Sequence, residues 1–340
     1  MTRRAFATTS AAALAAGPVP VALILEPTGD HLSHYRRVKA CQGVGAVTEV
    51  EPAADLPERL AAIRPALAIV SLEPHRMPVA SEAAVDAGAH VLVEKPGCAA
   101  QAPFEAAARK AAARGREIML AMATRLDPAA IAARGLVQKG WIGEIYGADM
   151  HWIADQTRLT NPAYQRSWKS SKKLGGGGKL IFHGIHYVDL LQWICASPVA
   201  EVAAMIRNAG RQPIEVEDAA AVSMALASGG LATLNAGYYL DRGYANMVYV
   251  WGSRGWFRFE PRLERALTWS STAPDAPRGT QQSPEAAPVN VYDRMLQAAV
   301  DFARGAAPPF IRTADSLAAL RVCFAAYASA ESGRVTRVAV

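Results

Sequence analysis

A lysine and two histidines are the residues of this chain best suited to moving protons. Lys95 closes the run His-Val-Leu-Val-Glu-Lys-Pro at 90–96. His183 and His186 lie in Gly175-Gly-Gly-Gly-Lys-Leu-Ile-Phe-His-Gly-Ile-His-Tyr-Val-Asp189. Histidine titrates near neutral pH, and a desolvated lysine can be brought down to share that work. His183 and His186 stand at i and i+3, so on a helix they share a face. Asp189 continues that face and either orients His186 or serves structure. Acid–base catalysis is the preferred reading. Structural histidines at a domain interface and a metal site on His-x-x-His-x-x-Asp remain alternatives. The metal would need a remote ligand, for which His151 is the one candidate; no metal is assigned.

The elements around these residues are read from hydrophobic patterning. Short apolar runs at 21–25, 46–50, 66–71, 90–94 and 117–123 read as buried strands. Helical stretches at 30–41, 56–63, 79–87 and 102–113 alternate with them. That alternation predicts a parallel sheet with helices on both faces, whose active site lies at the carboxyl ends of its strands. Lys95 sits at such an end. After Asp127 a helix is expected at 128–139, then strands at 145–152, 199–207, 219–227, 231–239, 246–252 and 256–259. Together they read as one large, mainly antiparallel open sheet. Residues 271–289, rich in Pro, Ser and Gln, read as a surface loop. The expected division is an export segment at 1–17, a Rossmann-like domain at 18–125 and a substrate and oligomerisation domain at 126–340.

Bulk properties narrow the function classes. The chain has 340 residues, 51% of them hydrophobic, and a net charge of +6. This supports sizeable cores and argues against disorder. Nothing organises the basic residues into a nucleic-acid surface. No apolar run approaches the roughly 18 residues of a membrane span. The four cysteines form no Cys-x-x-Cys pair and read as buried thiols. Met1-Thr-Arg-Arg-Ala-Phe-Ala-Thr, with an Ala-rich stretch after it, is similar to a twin-arginine export signal. A periplasmic or secreted location is therefore expected, with a cytoplasmic one as the alternative.

The Glu-Lys-Pro after an apolar strand, combined with Gly-Gly-Gly-x-Leu-x-x-x-Gly-x-His-x-x-Asp, resembles the glucose–fructose oxidoreductase / inositol dehydrogenase / MocA family. Gly252, Gly255 and a closing helix over 315–332 agree with it. The resemblance covers nearly the whole chain after residue 20 and implies hydride transfer between a sugar or sugar acid and NAD or NADP. It implies that Lys95 orients substrate, that His186 handles a proton and that the protein self-associates as a dimer or tetramer. Phe182 stands where the family has an aspartate, and His183 is an extra imidazole. A dinucleotide fold should carry Gly-x-Gly-x-x-Gly after its first strand. Here that turn reads Glu26-Pro-Thr-Gly-Asp-His31, with Glu26, Thr28 and His31 at the glycine positions. Thr28, Gly29, Glu94 and Pro96 are the expected cofactor contacts, with Glu49 and Glu51 the candidates for a ribose. From Glu26 to Glu94 is 94 − 26 = 68 residues, so one strand–helix unit reads as trimmed.

Six cations and no acid fall between 158 and 179: Arg158, Arg166, Lys169, Lys172, Lys173 and Lys179. With Tyr164 and Trp168 interleaved, Arg166, Lys169 and Lys179 suit a sugar ring bearing an anion; a solvated basic loop is the alternative. Three functions are open, in order of preference. The first is an oxidoreductase on a sugar or sugar acid. The second is a cofactor-independent lyase or hydrolase of uronate-type saccharides using Lys95, His183 and His186. The third is a non-catalytic carbohydrate-binding protein.

Overall fold

A computed structural model describes residues 17–261, 267–283 and 289–339. Residues 1–16, the bulk of the expected export segment, lie outside the described residues. The first sheet is built from β1 (Val19–Leu25), β2 (Val44–Val50), β3 (Leu67–Ser71), β4 (His90–Val93) and β5 (Ile118–Leu120). All are parallel, in the order β2-β1-β3-β4-β5. A full dinucleotide sheet has six strands in the order 3-2-1-4-5-6, so among the described residues this one is a strand short beyond β2. Strands β3, β4 and β5 are buried along almost their whole length, as strands covered on both faces must be.

The connections are α1 (Leu32–Tyr35), α2 (Leu56–Ile63), α3 (Met77–Asp86) and α4 (Gln101–Ala113). Pro57 and Pro78 lie in the first turns of α2 and α3, where a missing N–H costs nothing. The helix expected over 30–41 is a correction. It is one α-turn that tightens into a 3₁₀ segment, Arg36–Ala40, after His31 takes a left-handed φ of 57°. Then α5 (Pro128–Gln138) starts under an Asp127 cap, whose carboxylate accepts the Ala129 N–H at 2.8 Å.

The second sheet has nine strands: β6 (Ile145–Asp155), β7 (Val199–Arg207), β8 (Ala219–Leu226), β9 (Leu231–Leu240), β10 (Tyr244–Gly252), β11 (Gly255–Phe259), β12 (Thr268–Ser271), β13 (Gln281–Gln282) and β14 (Thr336–Arg337). Their order is β13-β12-β11-β10-β6-β9-β8-β7-β14, antiparallel except for the β6–β9 pair. Strands β12 and β13 fall at the edge of and within the segment expected as a loop. Their short Thr-Trp-Ser-Ser and Gln-Gln runs carry too little apolar period to announce a strand. Two four-residue helices, α6 (Pro162–Gln165) and α7 (Lys172–Gly175), lead into α8 (Ile185–Cys195). The helices α9 (Val291–Ala303) and α10 (Thr313–Ser332) close the chain.

One face of the large sheet is covered and the other open. Ala220, Val222, Met224, Ala232, Leu234 and Ala236 face inward, while Met205 and Leu231 are 73% and 65% exposed on the other side. On the covered side α10 packs on β7 and α8, and reaches α4 and β5 of the first sheet. There the Thr313 and Ser316 hydroxyls accept the N–H groups of Ile118 and Leu120 at 2.8 and 3.1 Å. The free edge of β5 is thus satisfied by side chains from the far end of the sequence.

Candidate active-site cleft

Lys95 and the glycine run converge because two backbones touch. After β4 the chain turns through a cis Lys95–Pro96 bond and Gly97, at φ +82°. Gly176, at φ +87°, lies so close that a Cβ on it would stand 2.8 Å from the Ala99 Cα. Cβ atoms on Gly177 and Gly178 would meet the Tyr327 hydroxyl at 2.1 Å and the Glu217 carbonyl at 2.0 Å. These glycines therefore serve the protein's own packing.

Glu217 clamps the start of the next turn. Its buried carboxylate accepts the N–H of Gly178 at 2.8 Å and of Leu180 at 2.9 Å, and the Tyr327 hydroxyl at 2.8 Å. Burial pushes this carboxyl up, and its donors work the other way. The sequence reading missed Glu217. Its signal was an acid opening an apolar strand, in Ile214-Glu-Val-Glu-Asp218.

From this clamp the chain runs through a π-helical turn, Leu180–Gly184, into α8. The turn carries Lys179 and His183 to a spot walled by Trp152 of β6 and Tyr238 of β9. The His183 ring lies 5.0 Å from Trp152, and its Nδ1 is 3.3 Å from the Tyr238 hydroxyl. Lys179 Nζ sits 4.5 Å from the Tyr238 ring centre and 5.4 Å from that of Trp152. It is fully buried and meets no acceptor among the described residues. Burial, aided by the charges of Arg158 and Lys95, pushes its ammonium down to about 6. Burial, then Lys179, Lys95 and Arg158, holds the His183 imidazole well below its usual value. Arg158 closes this side, over the Tyr238 ring and donating to the Tyr244 hydroxyl at 2.9 Å.

Several expected roles are corrected. Lys95 is not a desolvated lone amine: its Nζ is 3.5 Å from Glu94 and 4.0 Å from Asp30. Of these two amines, Lys179 is the one that meets no acceptor among the described residues. His186 is 1% exposed and packs 5.5 Å from Trp152, deeper than His183. Asp189 does not orient it, because both carboxylate oxygens take the Arg125 guanidinium at 2.7 and 2.8 Å. His151 precedes Trp152 on β6 and so faces the other side of the sheet, away from His183 and His186. Among the described residues no His, Cys, Asp and Glu group could hold a metal ion.

The basic loop divides as well. Trp168 is buried edge-on against Phe182 and donates its indole N–H to the Thr28 carbonyl at 2.8 Å, so its face is not offered to a sugar. Lys169 binds Asp30 at 2.6 Å. Lys172 pairs with Glu331 at the surface. Tyr164 is half-buried and shares a hydrogen bond with Tyr238. Arg166 is exposed.

The loop at the end of β1 can be tested for a dinucleotide. Glu26 accepts the Glu73 N–H and pairs with Arg76. A Cβ on Gly29 would lie 2.3 Å from the Ser71 carbonyl oxygen. Asp30 projects its carboxylate between Lys95 and Lys169. Burial alone would raise that carboxyl, and these two ammoniums hold it below the usual range. Glu94 accepts the Tyr35 hydroxyl and lies 3.3 Å from His31 Nδ1. Glu49 is engaged by Arg36 at 3.0 and 3.2 Å. Of Thr28, Gly29, Glu94 and Pro96 only Thr28 stands exposed, as do the ribose candidates Glu49 and Glu51, and the helix after this loop has only four residues. The described residues therefore do not build a glycine-lined pyrophosphate cradle: Glu26 and Gly29 are held against the end of β3, and an internal carboxylate occupies the cations.

Known proteins place this fold. Residues 131–258 match the GFO/IDH/MocA C-terminal domain. An uncharacterized oxidoreductase of Schizosaccharomyces pombe is 28% identical over 164 residues, a stretch covering 48% of this chain and 43% of that protein. The crystal structure of an oxidoreductase domain protein from Kribbella flavida superposes with a TM-score of 0.81 at 22% identity, covering 96% of this chain and all of that one. The WlbA dehydrogenase of Bordetella pertussis, solved with NADH and UDP-GlcNAcA, gives 0.82 at 17% identity over 95% of this chain and 99% of its own. A levoglucosan dehydrogenase solved with NADH and levoglucosan gives 0.78 at 17% over the same shares. At these identities the solved structures speak for the fold. Residues 131–258 thus carry a match to the GFO/IDH/MocA C-terminal domain, within a chain whose fold is that of the solved oxidoreductases.

Proposed function

We propose that this protein is an enzyme acting on a sugar or sugar acid, with the reacting hydroxyl or the carbon beside it held between Lys95 and His183. The observation that carries this is the meeting of Lys95, Lys179, His183 and Tyr238 at the carboxyl end of the first sheet. His183 keeps some exposure and its Nδ1 is engaged by Tyr238, which leaves Nε2 to exchange a proton. Lys95 and Arg158 supply positive charge where an oxyanion or carboxylate would form. The GFO/IDH/MocA C-terminal-domain match and the NADH-bound sugar dehydrogenases of the same fold support an oxidoreductase acting on a hydroxyl, with nicotinamide as the hydride carrier. The β1 loop does not fit that carrier, so the steps assigned to this chain are substrate orientation and proton exchange.

That same loop favours a second reading, cofactor-independent elimination from a uronate. A base takes the proton beside the carboxylate, the carbon–oxygen bond at the next carbon breaks, and the departing oxygen takes a proton. A paired test separates the two. NADH and NADPH are titrated against the purified full-length chain by fluorescence and calorimetry, and a panel of sugars, sugar acids and polyuronates is screened for nicotinamide reduction and for new unsaturated ends. Micromolar nicotinamide binding with reduction supports the oxidoreductase. Unsaturated products without binding support elimination. Neither, with saccharide binding retained, turns the protein into the expected non-catalytic binder. We also propose twin-arginine export and self-association through the open sheet face; fractionation of the native host and sedimentation of the purified chain test these.

A further inference from the structure

Lys179 and His183 stand at i and i+4 on one turn, and both face the same two rings. Trp152 lies 5.0 Å from the imidazole and 5.4 Å from the amine. Tyr238 puts its hydroxyl 3.3 Å from His183 Nδ1 and its ring 4.5 Å from Lys179 Nζ. Arg158 and Lys95 also face the pair and His186 faces His183, while the buried Glu217 carboxylate binds the backbone N–H groups of Gly178 and Leu180 on either side of Lys179. Lys95 is already matched by Glu94 and Asp30. No carboxylate reaches Lys179 among the described residues.

We infer that the proton-exchanging group of this cleft is a pair, His183 at its edge and the Lys179 amine beneath it, sharing a single proton. Two cations packed against the same rings, with no acid between them, repel strongly, so a proton on one keeps the other neutral. The faces of Trp152 and Tyr238 accept the charge wherever it rests. Substrate meets His183: its O–H or C–H proton passes to Nε2 and the electron pair stays on the substrate. Lys179 is a positioning residue that sets how readily His183 takes that proton. The inference deepens the proposed function and rests on this cleft being the reactive one. It assigns the proton to His183 rather than to His186.

Nuclear magnetic resonance titration of histidine- and lysine-labelled full-length protein, with no substrate present, decides it. In Lys179→Met the His183 midpoint should rise by at least one pH unit, a tenfold gain in proton affinity. In His183→Gln the Lys179 midpoint should rise by as much. An unmoved midpoint in either folded variant overturns the pair. These titrations need no turnover, so failure of the sugar chemistry is a separate result. Where turnover is found, the acid limb of kcat/KM should move to higher pH in Lys179→Met. A limb that stays put, and moves only in His186 variants, overturns the assignment.

Discussion

The loop after β1 and the loop before α8 both stand at the mouth of the cleft, and they use glycine in opposite ways. The first has other residues where glycines would admit a pyrophosphate, and its turn is filled by Glu26, Asp30 and His31, tied to Arg76, Lys169 and Glu94. The second keeps Gly176, Gly177 and Gly178, each pressed against the protein's own Ala99, Tyr327 and Glu217. A glycine that serves a ligand is kept by that ligand alone. One that lets two segments touch is held by the fold itself.

Substitution can break or sharpen that contrast. Gly178→Ala should be the most damaging change, because its Cβ meets backbone; a loss of about 3 kcal/mol or more, or no folded protein, is expected in urea unfolding. Glu217→Ala strands two N–H groups and a hydroxyl in the interior. It should cost about 3 kcal/mol in the same assay, and a loss below 1 kcal/mol would refute the clamp.

Lys179→Met should act in the other direction. The folded amine titrates near 6 and the unfolded one at the ordinary lysine value of 10.5. Between these the unfolded chain holds more protons, so wild-type stability rises with pH across that window. Removing the amine should flatten the rise and stabilise the protein by roughly 3 kcal/mol at pH 7. Parallel curves at pH 6, 8 and 10 would show the amine is not buried neutral.

In the first loop the effects should be smaller. Glu26→Gly restores a glycine but strands the Glu73 N–H, so a loss of about 1–2 kcal/mol with no gain of NADH binding is expected by calorimetry. Asp30→Asn should cost about 1 kcal/mol at pH 7. Because Lys95 and Lys169 depress the folded carboxyl against the cost of burial, that difference should begin to shrink as pH falls below the ordinary aspartate value and be gone only below the folded one. A difference that does not shrink at all between pH 7 and pH 3 would rule out the charge explanation.

Much of the architecture was legible because periodicity reports burial. The five strands of the first sheet, the trimmed unit and the large open sheet were all visible in short apolar runs and their alternation. The meeting of Lys95 with the glycine run was legible from motif and topology together. The rest depended on contacts far apart in sequence. Nothing local to Asp189 reveals Arg125, and nothing local to Trp168 reveals the Thr28 carbonyl. Lys179 looked like one more cation in a basic loop; only the closure of Trp152 and Tyr238 around it makes it an unpaired interior amine. His183 and His186 share a face at the α-helical period, but the π-turn and β6 decide which reaches the surface.

The seam between β5 and α10 bears on how the chain is made. Ile118 and Leu120 wait for hydroxyls of Thr313 and Ser316, nearly two hundred residues downstream. While the ribosome is still adding the second sheet, the first keeps a bare, apolar edge able to pair with any passing strand. A chain stopped before its last helix would be a template for aggregation, so release of the closing segment completes the first sheet as well as the last.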